Sequence, residues 1–338
     1  MPGCARHTSA TENVNSELER QVRARALEVL ELLMQATERS DAMSGGRLLS
    51  GMSDEELERR LVAAVLRAVV SVAAEQRGLA TKALTGRLFV CSEFALPGSG
   101  REHVSGIGSS DVVDDRLASA IRDRLTHFEN DNGQKTKAWA ELPVEAIGGV
   151  YESLIGLGLR TSSAAEGRHI APAKTRKRTG SFFTPPELTA QVVSKALEPL
   201  LERAVGPDAE RLLLELRVCD PALGAGAFLL EACRQLARRL GALSNQQPGL
   251  ALLGEVATRC LYGVDLSPLC VALAEASLWL LVGDESLTMS EVGKRLRVGD
   301  SLAGFDWAAE FEDVLGASRG FDAMIGNPPW VAFAKATP

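Results

Sequence analysis

The chain has 338 residues, 46% hydrophobic and 24% charged, with a formal net charge of −7 at neutral pH. That length predicts roughly two domains of about 150 residues each, and the composition excludes collagen-like, low-complexity and wholly disordered chains. No apolar run approaches the roughly 18 residues of a membrane span, the polar stretch from Met1 to Glu17 shows no secretory signal, and the acidic balance makes any nucleic-acid binding local or supplied by another segment.

Glu17 to Thr37 carries apolar residues at Leu18, Val22, Ala26, Val29, Leu30 and Leu33, a spacing that predicts an amphipathic helix. A second helix is predicted from Ser53, with Glu56 in capping-box position. It runs through Leu57, Leu61, Val65, Leu66 and Val69 to a stop at Gly78. Pro97 to Ser110 reads as a Gly/Ser loop, Val112 to Phe128 as a third helix and Leu142 to Leu157 as a fourth. Residues 1–160 thus read as an all-α N-terminal domain. Residues 161–180 read as a basic linker ending in Lys174, Arg176, Lys177 and Arg178, either a solvated connection or a strip facing phosphates.

From residue 181 to 338 the texture is strand alternating with helix. Leu212 to Cys219 is β-like and runs into a glycine-rich turn, Ala227 to Leu240 is helical, and Leu261 to Leu266 is a short apolar run ending in an acid. Gly241 to Thr258 holds an additional helix or loop. Leu269 to Val282 is helical, Leu296 to Val298 is a strand leading to Asp300, and Phe321 to Ile325 is a strand leading to Asn327. Such alternation predicts an α/β fold with a parallel sheet covered by helices.

The cysteines, Cys4, Cys91, Cys219, Cys233, Cys260 and Cys270, contain no C-x-x-C pair. They read as small buried apolar residues of a reducing, cytoplasmic compartment. His7, His103, His127 and His169 share no metal-ligand spacing, so no metal site is expected.

In parallel sheets ligands sit at the carboxyl ends of the strands, and every unusual residue of this half falls at such an end. In Asp220-Pro221-Ala222-Leu223-Gly224-Ala225-Gly226-Ala227-Phe228, Gly224 and Gly226 allow a close backbone approach. The helix that follows offers free N–H groups, and Asp220 suits a cation such as an amino group. The third glycine of the dinucleotide fingerprint is replaced by Leu229, which disfavours a dehydrogenase. Asp265 either grips a ribose diol or, with Ser267, caps a helix. Asp300 either accepts from an exocyclic amine or forms a turn. In Asn327-Pro328-Pro329-Trp330, Pro-Pro gives an extended backbone without N–H donors. Its carbonyls and the Asn side chain then serve as acceptors beside a flat Trp. That pairing suits a planar ring bearing an NH2 group, although a structural Pro-Pro turn remains the alternative for the motif alone.

Taken in order, these motifs resemble those of the N6-adenine DNA methyltransferases of restriction-modification and phage-defence systems, in the gamma arrangement and of the type I and type IIG kind. Gly180-Ser181-Phe182-Phe183-Thr184-Pro185-Pro186 matches the element that closes over the methionine part of S-adenosylmethionine. Asp220 to Phe228 matches D-P-x-x-G-x-G-x-F, and Asn327 to Trp330 matches N-P-P-[YFW]. Leu142 to Leu159, with Tyr151-Glu152, is similar to the region before the closing element. Leu223 and Ala225 depart from the usual small residue and Ser of the glycine turn but keep its backbone logic.

The resemblance implies a Rossmann-like methyltransferase sheet, here incomplete at its C-terminal side because the sequence stops shortly after the N-P-P-W motif. It implies S-adenosylmethionine as cofactor, held by Phe183, Thr184, Pro185, Asp220, Gly224, Gly226 and Phe228, with Asp265 on the ribose and Asp300 on the adenine. It further implies direct methyl transfer to a flipped adenine of double-stranded DNA. Asn327 and the Pro328 carbonyl accept from N6, Pro329 stiffens the turn, Trp330 stacks on the base, and neither metal nor membrane takes part. A second polypeptide or a further C-terminal segment supplies target recognition. Two alternatives stay open. Protein-glutamine and RNA base methyltransferases share the N-P-P-[YF] turn, and a non-catalytic assembly or binding subunit could retain the motifs.

Overall fold

The computed structural model describes residues 5–79, 114–129, 134–161, 168–172, 184–244, 249–316 and 320–328. They divide into two compact units, one holding the described residues up to 172 and the other those from 184 onward. Among the described residues no helix is long and apolar enough to cross a membrane.

The first unit is built on helices α1 (Ala5–Met43), α2 (Asp54–Gln76), α3 (Asp115–Thr126), α4 (Ala138–Glu141) and α5 (Glu145–Ile155). The stripe read from α1 is the buried one: Val22, Ala26, Val29 and Leu33 are fully enclosed. Each of the Val and Leu side chains among them contributes about 1.5–3 kcal/mol. Ser53 caps α2 by accepting from the Glu56 N–H at 3.1 Å. The reciprocal half of the box is not made, because the Glu56 carboxylate turns to Arg59 and Arg60. Gly78 ends the helix at φ +77°. The Gly78 and Leu79 amides there donate to the carbonyls of Glu75 and Ala74, a Schellman stop. Trp139 is the central anchor. Its indole N–H donates to the Leu125 carbonyl at 2.8 Å, its backbone N–H to Gln76 Oε1, and its ring meets Phe128 edge-on.

Two antiparallel hairpins interrupt the helices. β1 (Phe128–Glu129) pairs with β2 (Lys135–Thr136), and β3 (Leu157–Thr161) with β4 (Arg168–Pro172), Leu159 facing Ile170. The second hairpin corrects the linker expectation for part of residues 161–180. Residues 168–172 are a paired strand, and Arg168 is tied to Asp54 by its guanidinium and to Glu38 by its backbone N–H. The polar composition there serves fixed partners rather than solvent alone. Lys174, Arg176, Lys177 and Arg178 lie outside the described residues.

The second unit opens with α6 (Pro186–Arg203) and α7 (Ala209–Leu214), then runs β5 (Val218–Asp220), α8 (Ala227–Leu243), α9 (Leu250–Cys260), β6 (Leu261–Asp265), α10 (Pro268–Val282), α11 (Met289–Val292) and β7 (Leu296–Val298). Short α12 (Trp307–Glu310) and α13 (Glu312–Leu315) precede β8 (Ala323–Met324). The β-like reading of Leu212 to Cys219 is half wrong. Its apolar start is the end of α7, which buries Leu213, and a short apolar run does not by itself distinguish a strand from a buried helix. The four strands form one parallel sheet in the order β7-β6-β5-β8. The parallel α/β architecture and the helical N-terminal region follow the sequence reading.

Side chains alternate across a strand, so Tyr262 and Val264 share one face of β6. With Cys219 they pack against Phe311 and Val314, and Phe305, Trp307 and Phe321 complete the cluster. Five of its rings meet mostly edge-to-face, with centroids 4.9–6.0 Å apart. Arg295 stacks over Tyr262 and Arg297 over Phe311.

Candidate active site

Because all four strands are parallel, their carboxyl ends lie along one edge, and the sheet order sets the turns side by side. The chain steps outward from β5 to β6 to β7, then returns so that β8 pairs with the other side of β5. The strand order reverses between β5 and β8, and at such a reversal the flanking connections diverge and leave a crevice. Asp220 ends β5 on one wall. Gly326 and Asn327 follow β8 on the other, drawn in by the Ile325 N–H to the Cys219 carbonyl at 2.9 Å.

Asp220 is fully buried. Its Oδ1 accepts from the Ala222 N–H at 3.0 Å, while its Oδ2 has no partner among the described residues. Burial pushes the carboxyl up to about 7, and the nearby Asp265 charge adds to the shift. A buried acid with one unsatisfied oxygen is costly alone and favourable beside a cation. It therefore fits the ammonium of an amino-acid moiety. Gly326 is confined by the same carboxylate, since a Cβ there would stand 2.6 Å from Asp220 Oδ1.

The glycines of the turn do something other than donate. Gly224 gives its N–H to Asp265 Oδ2 at 2.8 Å, and Gly226 gives its own to the Leu223 carbonyl at 2.9 Å. Both amides are already occupied inside the chain. What the glycines provide is a left-handed turn, at φ +53° and +86°, and space. A Cβ on Gly224 would meet nothing within 4 Å, whereas one on Gly226 would press on Ala274 of α10 at 3.0 Å. Phe228 lies in the first turn of α8, 6% exposed, where it anchors the turn in the core.

Asp265 ends β6 with Oδ1 on the Ser267 N–H and Oδ2 on Gly224, both at 2.8 Å. Burial raises its carboxyl, and these two amides counter the rise. Ser267 itself caps α10, so the capping role belongs to Ser267 and the acid is left to link two turns. A carboxylate has about four acceptor positions, and the Cys270 side chain adds a third partner to the two amides.

Asp300 is exposed, with Oδ1 taking the Leu302 and Ala303 amides; the turn-forming arrangement is the one observed. Its loop is tied to β6 by the Gly299 N–H on the Asp265 carbonyl. The Phe305 ring covers Gly299, and the Trp307 indole donates to the Ser301 carbonyl at 3.3 Å. Sequence reading missed these two supports; the closely spaced Phe305 and Trp307 after an Asx turn, in a chain with only 5% aromatics, were the available signal.

Thr184 is buried and precedes α6, which Pro185 and Pro186 open. The Asn327 Nδ2 donates to Thr184 Oγ1 at 3.3 Å, joining two motifs 143 residues apart. Asn327 and Pro328 are exposed. Phe183, Pro329 and Trp330, with Gly180 to Phe182, lie outside the described residues. Among those described, no cluster of three or more His, Cys, Asp or Glu side chains is placed to hold a metal ion.

Residues 259–337 match the Eco57I restriction-modification methylase family. Two curated proteins add to this. One, from Methanocaldococcus jannaschii, is named as a type II restriction enzyme and methyltransferase. It is 26% identical over 212 residues, 49% of this chain and 17% of its own length. The other, the adenine-specific methyltransferase PglX of Streptomyces coelicolor, is 26% identical over 195 residues, 47% of this chain and 15% of its own length. The chain thus spans less than a fifth of the length of either. Among solved structures it is similar to the type IIL restriction-modification enzyme MmeI in complex with DNA, at 16% identity and a TM-score of 0.48, over 91% of this chain and 44% of that one. The motif resemblance to restriction-modification methyltransferases is borne out by the family match and the two curated relatives.

Proposed function

We propose that this chain carries the cofactor-binding and catalytic part of a methyltransferase that transfers a methyl group from S-adenosylmethionine to adenine N6 of DNA, within a restriction-modification or phage-defence system of the cytoplasm. The observation that carries the reading is the fully buried Asp220 carboxyl at the end of β5, whose Oδ2 has no partner among the described residues, set across the β5–β8 strand-order reversal from Asn327.

When bound, S-adenosylmethionine would supply an electrophilic methyl on its sulfonium, the C–S bond pair staying on the departing neutral thioether. Asp220 holds the ammonium of the methionine moiety, Thr184, Pro185 and Phe183 close over it, and the Gly224–Gly226 turn leaves it room. Asp265 takes the ribose hydroxyls and Asp300 the adenine amine. Asn327 Oδ1 and the Pro328 carbonyl accept the two hydrogens of the target N6. As that nitrogen forms its new bond to carbon it turns pyramidal and positive, and two acceptors already in place stabilise the growing charge. The same nitrogen afterwards releases a proton to solvent. Pro329 holds the acceptor backbone extended, and Trp330 stacks on the base. Adenine N6 reaches such a crevice only when the nucleotide leaves the duplex. A segment outside this chain, or a second polypeptide, reads the DNA sequence.

Calorimetric titration of the 338-residue chain with S-adenosylmethionine tests the cofactor half. Binding is expected in the wild type and in Asn327→Ala, and is lost in Asp220→Asn. Methylation of unmethylated DNA by this chain, together with whatever segment or polypeptide supplies target recognition, is expected to disappear in Asn327→Ala. A folded wild-type chain that ignores the cofactor refutes the first half, and methylation surviving Asn327→Ala refutes the second.

A further inference from the structure

The Thr184–Asn327 hydrogen bond joins the segment before α6 to the turn after β8. It raises a question about polarity. A carboxamide has an oxygen that accepts and an NH2 that donates. Only the oxygen can receive the hydrogens of a target amine, so a half-turn about the Cβ–Cγ axis of Asn327 would aim donors at donors. A hydroxyl alone does not forbid that half-turn, because it can accept from Nδ2 or donate to Oδ1. The choice depends on where the hydroxyl proton goes. Here Thr184 Oγ1 accepts from Asn327, the residue is 8% exposed, and no acceptor for its own proton stands among the described residues.

We propose that Thr184 is the positioning residue for Asn327, a hydroxyl relay that fixes the carboxamide with Oδ1 toward the incoming amine once an anionic group of the bound cofactor accepts a hydrogen bond from the Thr184 hydroxyl. With its proton held, the hydroxyl is left only as an acceptor, and the half-turned carboxamide loses its partner. The cofactor's methionine carboxylate is the anion of the right kind, and Asp220, which Gly326 beside Asn327 approaches closely, receives the ammonium of the same moiety. Loading the crevice and orienting the acceptor are then one event. This rests on the reading of Asn327 as the amine acceptor given above.

The first test needs no turnover. In the nitrogen-15-labelled 338-residue chain, the Asn327 carboxamide pair is identified by its disappearance in Asn327→Ala. S-adenosylmethionine is expected to shift that pair and slow its exchange with water. 5′-Methylthioadenosine, which has the ribose and adenine but no carboxylate, is expected to bind without doing so. Thr184→Val removes the response to S-adenosylmethionine and Thr184→Ser retains it; Thr184→Ala replaces the Val variant should that one not fold. An equal response to both ligands, or an undiminished response in Thr184→Val, overturns the proposal.

The second test uses the methylating enzyme, this chain with whatever segment or polypeptide supplies target recognition, on unmethylated, enzymatically amplified genomic DNA. At saturating S-adenosylmethionine, Thr184→Val is expected to slow single-turnover transfer about tenfold to a hundredfold, the cost of a misaligned reacting group, and Thr184→Ser to recover most of the rate. A Thr184→Val deficit that more cofactor repairs overturns the proposal, because a residue that only helps to hold the cofactor behaves that way. Methylation that survives Asn327→Ala refutes the acceptor role itself, a failure separable from that of Thr184, and the relay falls with it.

Discussion

Replacing Asp220 by Asn gives the sharpest check on the electrostatics of the crevice. Burial moves this carboxyl from 3.8 to about 7, a gap of roughly three units at about 1.4 kcal/mol each. The shift is upward for an acid, so the folded chain holds the proton more tightly than the unfolded one. Below about pH 4 both states are protonated and the site costs little. Between about pH 4 and 7 the unfolded chain ionises first, and stability falls as pH rises. Above 7 the whole penalty, about 4 kcal/mol, is present. Asp220→Asn removes the ionisation and keeps an oxygen for the Ala222 N–H. Its own NH2 lacks a partner, which costs about 1–3 kcal/mol at all pH values, so the net gain at pH 8 is about 1–3 kcal/mol.

The decisive quantity is therefore the slope. The stability of the variant relative to wild type should climb by about 4 kcal/mol from pH 4 to pH 8, or about 10 °C in Tm for a unit of this size. Calorimetric unfolding across that range measures it. Glu275, raised to about 7 by its own burial, tilts both curves and cancels in the difference. Parallel wild-type and variant curves would show that Asp220 is not held neutral, and the case for a cation-seeking site would fall. A more stable variant that has lost the cofactor is the expected signature of a residue kept for binding.

Two further substitutions probe local geometry. Gly326→Ala places a Cβ 2.6 Å from Asp220 Oδ1 and should cost about 1–3 kcal/mol by overpacking while weakening cofactor binding; thermal shifts with and without S-adenosylmethionine measure both, and no change in either contradicts the close approach. Ser53→Ala removes the cap on the Glu56 N–H and should cost about 1 kcal/mol, read by urea unfolding; a loss of less than about 0.3 kcal/mol, well under an ordinary cap, would mean that water serves the helix end equally well.

Much of this organisation was legible in the sequence, for reasons that can be named. Asp220, Asp265 and Asp300 each follow a short apolar run, and a parallel sheet with regular crossovers puts such positions on one edge. Gly226 was legible as a backbone requirement, and the structure adds its cause in the Cβ of Ala274. The errors are equally specific. Leu212 to Leu214 looked like strand because three adjacent leucines carry no period, and only burial of Leu213 in α7 decides the matter. The half-made box at Ser53 shows that a motif spacing does not say which partner wins, since Glu56 found Arg60 closer at hand. Gly224 was read as allowing a close backbone approach, and the structure adds that Asp265 holds its amide. The Thr184–Asn327 bond spans 143 residues, and no local pattern encodes a contact of that length.

The order of strands has a consequence for how the crevice comes into being. β5, β6 and β7 pair with successive neighbours, each joined by a crossover of ordinary length, and that three-stranded piece can assemble while the chain is still being made. β8 must find β5 over a much longer loop; the Arg217 N–H to Asp322 carboxylate bond at its start closes a separation of 105 residues. Contacts of such range form late, because loop closure is paid before they reward it. The wall bearing Asn327 is thus the last to arrive. A ligand that touches both Asp220 and the turn after β8 can stabilise only the sheet with β8 docked.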